Sequence, residues 1–531
     1  MQTVHPTVKL AELRQSGPAS DVGGASGPST SAAGDVSTQL SRPTPRPTAT
    51  QSSIMDQFMQ KSMSVAKQGQ IDIALAKMFA TDFQPFSIVE DRGFRNYSKS
   101  LNPMYTIPSR KVISESLIPQ LYESTRASVQ ERVKKATAVC LTTDCWTSRV
   151  TTNYMSVTCH FIEDFSMSSC LLDCFEFSDR HTSENLAEEL LRVAKEWDVD
   201  GKVVCCVTDN AANITKAVKI LKWTHHPCLA HTINLIVRDA LKVMKPTVDK
   251  VKAAVEFFHR STVGAEKLRS TQCQMGMPEL RPKQDCPTRW NSTFYMLKRF
   301  LESKDAIIST LAIVNAPVDP LTQEEWEVVE EVCRVLEPFE QVTVEISGER
   351  KFHRMEYNHV LSETAALDPR FKKLAFSDAR ALDEALQRIT SAAGRDSPSS
   401  QLAQTPGQQE AEGAEAPAVL PQTSAVWMLF DERATGDAAR RNPSADAIME
   451  VQSYLEEPLL QRSADPLSWW KNKASIYPRL TKVMTGRLCI VATSVPSERV
   501  FSKTGQIITE RRNRISPSKV RELAFLNANL S

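Results

Sequence analysis

Between residues 138 and 209 the apolar positions follow the alternation that is typical of β-strands, interrupted by one stretch with helical spacing. Three short apolar or alternating runs come first, then an amphipathic run, then a continuous apolar run that ends in an aspartate. The predicted segments are Ala138–Trp146, Tyr154–Ile162, Leu171–Phe177, Thr182–Trp197 and Lys202–Asp209. The order of three strands, a helix, a strand and a further helix predicts an α/β domain.

The chain on either side of these segments has helical periodicity or low complexity. Methionines and phenylalanines recur at helical spacing after residue 54, whereas the residues before it include no Phe, Tyr or Trp and predict disorder. The predicted boundaries are 1–54 for a disordered tail, 55–135 for a helical lead-in, 136–300 for the first part of the α/β domain, 301–390 for a helical insertion, 391–424 for a low-complexity linker and 425–531 for the end of the α/β domain and a C-terminal helical region.

Composition narrows the class of protein. A length of 531 residues suffices for about three domains, and a formal net charge of +1 leaves polyanion binding to local basic clusters. The chain has no apolar run near the roughly 18 residues that cross a bilayer, and it does not begin with a secretory signal pattern. Twelve cysteines, including the adjacent Cys205 and Cys206, suit a reducing compartment with free thiols. We therefore expect an intracellular protein that does not bind membranes.

The stretch Ala492–Ser502 has the features of a helix start. Pro496 suits the first turn, where its missing N–H is not needed, and Ser494 is a favourable N-cap. Glu498 then lies in the first turn, where the helix dipole favours an ionised carboxylate. A carboxylate is a ligand that Mg²⁺ prefers, but a capped and solvated helix start explains the same spacing.

Five motifs, in this order, resemble those of the hAT transposase superfamily, especially its zinc-finger BED (ZBED) proteins. They are Thr142-Thr-Asp-Cys-Trp-Thr-Ser148 with Asp144, Thr208-Asp-Asn-Ala-Ala-Asn213 with Asp209, Cys228-Leu-Ala-His231, Arg289-Trp290-Asn291, and Ser497-Glu-Arg499 with Glu498. The resemblance implies an RNase H-like domain that is interrupted by an α-helical insertion and followed by a C-terminal dimerisation segment. The insertion is shorter here than the family pattern implies.

The resemblance also implies a metal site. Asp144, Asp209 and Glu498 match the Asp-Asp-Glu positions of the family, which would hold Mg²⁺ or Mn²⁺ for phosphodiester chemistry. Turn-forming aspartates at strand ends explain the first two equally well without a metal. Cys228 and His231 have the spacing of half a zinc site, but a structural motif near the acidic residues is the preferred interpretation.

A BED zinc finger is not expected in this sequence. Such a finger needs a Cys-x-x-Cys pair and paired histidines ahead of the main domain, whereas the first cysteine is Cys140 and the only histidine before it is His5. Either the sequence is part of a longer protein that supplies the finger, or the protein works without one. Without a finger, DNA binding should be weak and non-specific.

Candidate DNA contacts lie in two places. Trp290, next to Arg289, is a candidate for stacking on an extruded base, with a packing role in the core as the alternative. Residues 499–521 hold seven basic residues against a single acidic one. Within that segment the candidates for phosphate contacts are Arg511, Arg512 and Arg514. A nuclear-import signal and a solvated basic face are the alternatives.

Apolar residues of the C-terminal helices resemble the dimerisation segment of the family. They are Ile507, Ile508, Leu523, Phe525 and Leu526. Isolated helices would expose too much apolar surface at these positions, so burial against a partner subunit or against the core is required. The sequence predicts a homodimer or higher oligomer, formed by residues 480–531 together with the helices of 55–135.

Three functions are compatible with these motifs. The preferred one is a domesticated, hAT-derived nuclear protein that dimerises, associates with DNA or chromatin and regulates transcription. The alternatives are a metal-dependent transposase that cleaves and transfers DNA strands, and a decayed dimerising scaffold. The missing finger and the short insertion argue against the transposase, so the interpretation leans away from an enzyme.

Overall fold

A five-stranded mixed sheet lies at the centre of the α/β domain, with the strand order β3-β2-β1-β4-β5. The computed structural model describes residues 63–148, 151–286, 289–347, 356–395, 443–507 and 515–530. The strands are β1 Val139–Thr147, β2 Asn153–Glu163, β3 Ser166–Glu176, β4 Val203–Thr208 and β5 His225–Pro227. The first three are antiparallel neighbours, and β4 and β5 run parallel to β1. This topology confirms the predicted α/β fold and adds β5, which the sequence pattern did not indicate.

Helices make up most of the remaining described chain. They are α1 Val65–Asp82, α2 Arg92–Leu101, α3 Ile118–Lys135, α4 Ser183–Glu196, α5 Ala212–Ile220, α6 Leu229–Leu241, α7 Lys245–Arg260, α8 Thr262–Gln274, α9 Trp290–Glu302, α10 Lys304–Val314, α11 Gln323–Ser347, α12 His359–Ala366, α13 Ala379–Arg395, α14 Pro443–Glu456, α15 Pro466–Lys473, α16 Pro478–Leu488, α17 Val495–Ile507 and α18 Pro517–Asn529. None of these described helices is both long and apolar enough to cross a membrane.

One face of the sheet packs against α3, α4 and α5. Val139 and Leu141 of β1 belong to the core on this face, together with Leu190 of α4. Thr182 starts α4 because its hydroxyl accepts a hydrogen bond from the N–H of Asn185 (3.3 Å). The amphipathic pattern of this helix therefore has one buried side against the sheet, as its sequence predicts. The alternate residues of β1 point to the opposite face, which carries α17.

The C-terminal helix α18 completes the core of the same domain. Phe525 packs against Tyr122 of α3 and against Trp197, with ring centroids 5.0 and 6.0 Å apart. The side chain of Asn529 accepts a hydrogen bond from the backbone N–H of Leu171 on β3 (3.1 Å) and donates one to its carbonyl (2.9 Å). Because β3 is the edge strand, these bonds also cover an otherwise unpaired strand edge.

The predicted dimerisation residues are consequently buried inside a single chain. Ile507, Leu523, Phe525 and Leu526 are each at most 2% exposed, while Ile508 lies outside the described residues. Elements α1, α3 and β3 of the same chain cover these side chains, and their part in dimerisation stays a prediction. The sequence left open whether these side chains pack against a partner subunit or against the core of the same chain. In the structure they pack against the core of the same chain.

Two helical groups flank the α/β domain. Helices α6 to α11 surround a second core that includes Phe300 and Trp326, whose rings stack 5.1 Å apart. This group begins directly after β5, so the predicted boundary at residue 301 falls inside it. Helices α12 to α16 form a third core around Tyr454 and Trp470. Of the predicted linker 391–424, the first five residues belong to α13. The rest of it and the predicted tail 1–54 lie outside the described residues.

Candidate metal centre

Two of the three predicted acidic residues come together because β1 and β4 are parallel neighbours. Thr142 of β1 is level with Val207 of β4. Asp144 lies two residues further along β1, and Asp209 directly follows the last residue of β4. The topology therefore places both carboxylates at the same end of adjacent strands.

Glu498 reaches this place from α17. The helix begins at Val495, and Glu498 lies in its first turn, as the sequence predicts. The carbonyl of Ser494 accepts hydrogen bonds from the N–H groups of Ser497 and Glu498 (2.9 and 3.2 Å), which closes that turn. Because α17 crosses β1 and β2, its first turn is held against the strand that carries Asp144.

Two contacts on either side of the acidic residues fix α17 on β1. The hydroxyl oxygens of Ser497 and Thr142 are 2.8 Å apart. One turn further along the helix, the ring of Phe501 lies 5.3 Å from that of Trp146. Thr142 and Trp146 are four residues apart on β1 and therefore share one face of the strand. Along the chain, Asp144 lies between Thr142 and Trp146, and Glu498 lies between Ser497 and Phe501.

Both of the other acidic residues act electrostatically on Asp144. Burial and, after it, the negative charges of Glu498 and Asp209 raise the pKa of Asp144 to about 7. The same surroundings, again with burial first, raise the pKa of the neighbouring Cys145 thiol to about 12. Acidic side chains that share a partly buried place repel one another unless some of them are protonated or a cation is present.

A divalent cation at this place would have to be held by no more than two of these carboxylates at a time. Among the described residues, no three His, Cys, Asp or Glu side chains form a group that could hold one ion together. A two-metal site does not require such a group, because oxygens of the substrate and water complete the coordination of each ion. Asp144 is the residue that both other acidic groups affect. If cations bound here, Asp144 would hold them together with Asp209 or Glu498, and the ions would supply a Lewis acid.

A buried chain of polar side chains holds the first turn of α17 in place. The hydroxyl of Ser497 also donates to Thr158 (3.3 Å), and the hydroxyl of Thr142 lies 3.2 Å from Nε2 of His160. Nδ1 of His160 lies 2.8 Å from the hydroxyl of Ser169. Burial lowers the pKa of His160 to about 4, so its ring is neutral at pH 7. The sequence analysis did not assign a positioning role to these residues. The place of Ser497 directly before the motif residue Glu498 was the one sequence feature that indicated such a role.

Ser497→Ala is expected to weaken Mn²⁺ binding although it removes no charge. The substitution deletes one or two buried hydrogen bonds, which contribute about 1–3 kcal/mol, and it frees the first turn of α17 to shift away from β1. Thermal unfolding measures the first effect and a Mn²⁺ titration the second. Ser502→Ala is the matched control, since Ser502 is an exposed serine of the same helix. Unchanged Mn²⁺ affinity in Ser497→Ala would show that this contact does not position the site.

The Cys228–His231 motif lies beside the acidic residues and acts as a structural link. The N–H of Cys228 donates to the carbonyl of Thr208 (2.7 Å) at the end of β4. Its buried sulphur accepts a hydrogen bond from the N–H of Ser494 (3.3 Å), the residue before α17. His231 lies in the first turn of α6 and is partly exposed. Cys228 thus ties the end of the strand before Asp209 to the start of the helix that carries the glutamate.

Trp290 lies in the second core and not on the surface. Its side chain is 2% exposed and packs near Phe294, and its backbone N–H donates to the side chain of Asn234 (3.1 Å). Within the described residues its indole N–H has no hydrogen-bond partner. In this conformation the ring has no free face for a base, which favours the packing role among the two alternatives. Arg289, at the start of α9, is exposed, and its phosphate contact stays a prediction.

The basic cluster of residues 499–521 is smaller than its sequence indicates. Lys519 forms an ion pair with Glu522 (2.7 Å), and Arg521 binds both carboxylate oxygens of the buried Asp173 (2.6 and 2.7 Å). These partners lie outside the segment, so counting charges within it could not reveal them. The three predicted phosphate contacts lie outside the described residues and stay predictions: Arg511, Arg512 and Arg514.

Three parts of the chain match models of known protein families. Residues 142–230 match the model of the ZBED1 RNase-like domain, which covers the strands with Asp144 and Asp209. Residues 226–335 match the ZBED1 RNase-like helical domain, which corresponds to helices α6 to α11. Residues 450–530 match the hAT family C-terminal dimerisation region, which includes α17 and α18.

Three curated proteins are similar in sequence to parts of this chain. The human "Zinc finger BED domain-containing protein 4" is 26% identical over 528 residues, covering 88% of this chain and 44% of that protein. The "Putative AC transposase" of Zea mays is 26% identical over 517 residues, covering 83% of this chain and 62% of that protein. The "Putative transcriptional regulator tpeD" of Talaromyces stipitatus is 27% identical over 317 residues, covering 51% of this chain and 37% of that protein.

The chain spans about half of the length of the first two relatives it matches. Within that span it has the motifs, the mixed sheet, the helical domain and the C-terminal region in the order that the resemblance implies. Over the matched regions the chain is therefore similar to the RNase-like domains of the ZBED type and to the C-terminal dimerisation region of the hAT family.

Proposed function

We propose that this protein is a dimeric nuclear regulator that associates with DNA and has kept a divalent-cation site from a transposase ancestor. The observation that carries the proposal is that Asp144 and Asp209 lie at the same end of adjacent parallel strands and that the charges of Asp209 and Glu498 act on Asp144, with α17 held against β1 by buried contacts. Three carboxylates repel DNA phosphates by themselves. Mg²⁺ or Mn²⁺ bound there would neutralise them and supply a Lewis acid that can bind a phosphate oxygen.

The basic residues supply the remaining DNA contacts in this proposal. Arg289 is exposed at the start of α9, and the cluster with Arg511, Arg512 and Arg514 follows α17 in the sequence. Arginines bind phosphates without reading bases, so binding through them is tolerant of sequence. The family names of the relatives, which include ZBED proteins and a transcriptional regulator, support a role in transcription and a nuclear location.

DNA binding is expected to be weak, salt-dependent and strengthened by a divalent cation. Each phosphate neutralised by an arginine or lysine contributes about −0.9 to the slope of log K against log salt on duplex DNA. Fluorescence anisotropy with a labelled duplex, at several salt concentrations and with Mn²⁺ or EDTA, measures both dependences. Replacing Arg511, Arg512 and Arg514 together by alanine should flatten the slope by about three.

The matched control for this triple variant is Arg380→Ala, since Arg380 is an exposed arginine on α13. It should leave both affinity and salt slope unchanged. Tight binding to a single DNA sequence that persists at high salt would contradict the proposal, because it would require an element that reads base edges.

Oligomerisation in this proposal uses the surface of the C-terminal region and not its buried residues. The family model assigns dimerisation to residues 450–530, while the apolar residues of α18 are already covered. Several large apolar side chains in or just before this region are exposed instead: Ile448, Met449, Leu459, Ile476 and Phe501. Light scattering that shows only monomers at micromolar concentration would contradict this part of the proposal.

A second candidate function is metal-dependent DNA cleavage, which the retained acidic residues favour and which the name of the Zea mays relative suggests. Its test is nicking of a DNA end in Mn²⁺ by the unmutated protein and by Glu498→Gln, a variant that removes the charge and keeps the shape. We expect cation binding without efficient nicking. Robust nicking that Glu498→Gln abolishes would establish the enzyme in place of the regulator.

A further inference from the structure

A cavity of about 410 Å³ lies next to α17, and none of the three acidic residues lines it. Most of its walls come from residues 462–467 before and within α15, from Leu488 and residues 490–493 ahead of α17, and from Met167 and Ser169 on β3. Pro496 and Arg499 of α17 close it on one side. The volume lies within the range of pockets that bind small molecules.

Three guanidinium groups line this cavity: Arg370, Arg462 and Arg499. Arg370 forms an ion pair with the buried Asp368 (2.6 Å), which holds its planar group in a fixed place. Arg462 has no ion-pair partner among the described residues and is exposed at the cavity. The other cavity residues include one acidic group, that of Asp465. The balance of charge at the cavity is therefore positive.

The carboxylate of Asp465 caps the helix that it starts. Its carboxylate accepts hydrogen bonds from the N–H groups of Leu467 and Ser468 (3.2 and 3.0 Å), so it caps α15. Burial opposes the ionised form, but the hydrogen bonds from the hydroxyl and backbone of Ser468 and from the backbone of Leu467, with the charge of Arg370, keep the pKa of Asp465 below its usual range. Asp465 is therefore ionised and adds one negative charge at the cavity.

The remaining walls are apolar or carry hydroxyl groups. Apolar contact surface comes from Met167, Leu467, Leu488 and Ile490. Thr493 adds a hydroxyl group that can donate to an oxygen of a ligand, and Ser169 adds one that already contacts Nδ1 of His160 (2.8 Å). A cavity with arginines on one side and aliphatic side chains on the other suits a ligand with an anionic end and a flat or apolar body.

We propose that this cavity is a binding site for a nucleotide, the phosphate of which lies against Arg462 and Arg499. Arginine binds phosphate oxygens with two parallel hydrogen bonds and is the side chain best suited to this planar recognition. The aliphatic wall accommodates the base. A free nucleotide and the 5′-phosphorylated end of a DNA strand present this same chemistry, and the experiment below separates them. The site is distinct from the acidic residues and does not depend on a cation.

The test is calorimetric titration of the full chain with ADP in EDTA, which prevents any nucleotide from binding through a cation at the acidic residues. Adenosine is the matched ligand without phosphate and should bind at least about tenfold more weakly, since tenfold corresponds to about 1.4 kcal/mol. The double variant Arg462→Ala with Arg499→Ala should weaken ADP binding by at least the same factor. In a second arm, a 5′-phosphorylated trinucleotide and its 5′-hydroxyl form replace ADP. Tighter binding of the phosphorylated trinucleotide than of ADP would assign the cavity to the 5′ end of a DNA strand.

Ala464→Phe separates the cavity from general attraction by surface charge. Ala464 lines the cavity, so a phenylalanine there fills part of the volume and changes no charge. It should abolish ADP binding. Arg334→Ala, on the exposed face of α11, is the control and should bind as the unmutated protein does. The assignment is overturned if neither ADP nor the phosphorylated trinucleotide binds, or if binding persists both in Ala464→Phe and in the double variant.

Discussion

Phe525→Asp is expected to unfold the protein and not to release a folded monomer. Phe525 is 1% exposed and packs between Tyr122 and Trp197. Losing a buried phenylalanine costs about 3–5 kcal/mol, and an unpaired carboxylate in the same place adds to that cost. The sum is of the order of the whole stability of a typical domain. Circular dichroism during heating, together with light scattering of the soluble fraction, measures the outcome.

The matched control is Ile476→Asp, another apolar-to-acidic change in the C-terminal region. Ile476 is 54% exposed, so its substitution should change the free energy of unfolding by no more than about 0.5 kcal/mol. It also tests the exposed surface as a dimer contact, since a charge there would shift the oligomer towards monomers. A Phe525→Asp protein that stays folded, with an unchanged melting temperature and half the mass, would restore the interpretation of α18 as a partner-facing helix.

Helix α18 shows what a helical pattern leaves undetermined. The spacing of Leu523 and Leu526 requires a covered side, but a partner subunit and the core of the same chain satisfy that requirement equally. The deciding groups are far away in sequence: Tyr122 against Phe525, and the backbone of Leu171, which lies 358 residues before Asn529. No local pattern encodes such contacts, so the sequence could predict that the residues are buried but not what buries them.

The strands of the sheet could be predicted where their runs are long enough to show alternation. All four longer strands overlap predicted segments, although β3 begins five residues before its predicted start at Leu171, and α4 lies within the predicted amphipathic run. The exception is β5, whose three residues His225–Pro227 include a proline and are too few for a period of two. Yet β5 matters, because it leads into Cys228, whose sulphur accepts the hydrogen bond from Ser494 ahead of α17.

The sequence motifs name the three acidic residues, but the sequence does not reveal the contacts that position them. The motifs identify Asp144, Asp209 and Glu498, and the order of β1 and β4 explains the approach of the two aspartates. The contact between Thr142 and Ser497 joins positions 355 residues apart, between side chains that are unremarkable in a strand and in a helix start. Such a contact exists only after folding, so sequence reasoning could not assign a positioning role to either residue.

Asp144→Asn is expected to stabilise the cation-free protein above pH 7. Folding raises the pKa of Asp144 from 3.8 to about 7, so between these values the folded protein binds more protons than the unfolded chain. The stability of the unmutated protein therefore falls as the pH rises from about 4 to about 7, and the full cost is present above that range. The cost is up to about 4 kcal/mol, at 1.36 kcal/mol for each pH unit. Asparagine does not titrate, so this slope disappears in the variant.

Divalent cations should reverse the order of the two proteins. Mn²⁺ at about 100 times its dissociation constant adds about 2.7 kcal/mol to the stability of a protein that binds it only when folded. Asp144→Asn loses the carboxylate that both other acidic groups affect, so most of this gain should disappear with it. Melting temperatures from pH 5 to pH 8, in EDTA and in Mn²⁺, measure the slope and the gain on the same samples. Asp239→Asn, an exposed aspartate of α6, is the control and should change neither. If the melting temperature of the unmutated protein does not respond to Mn²⁺ at pH 8, above the pKa of Asp144, the acidic residues hold no cation and the proposed metal centre is wrong.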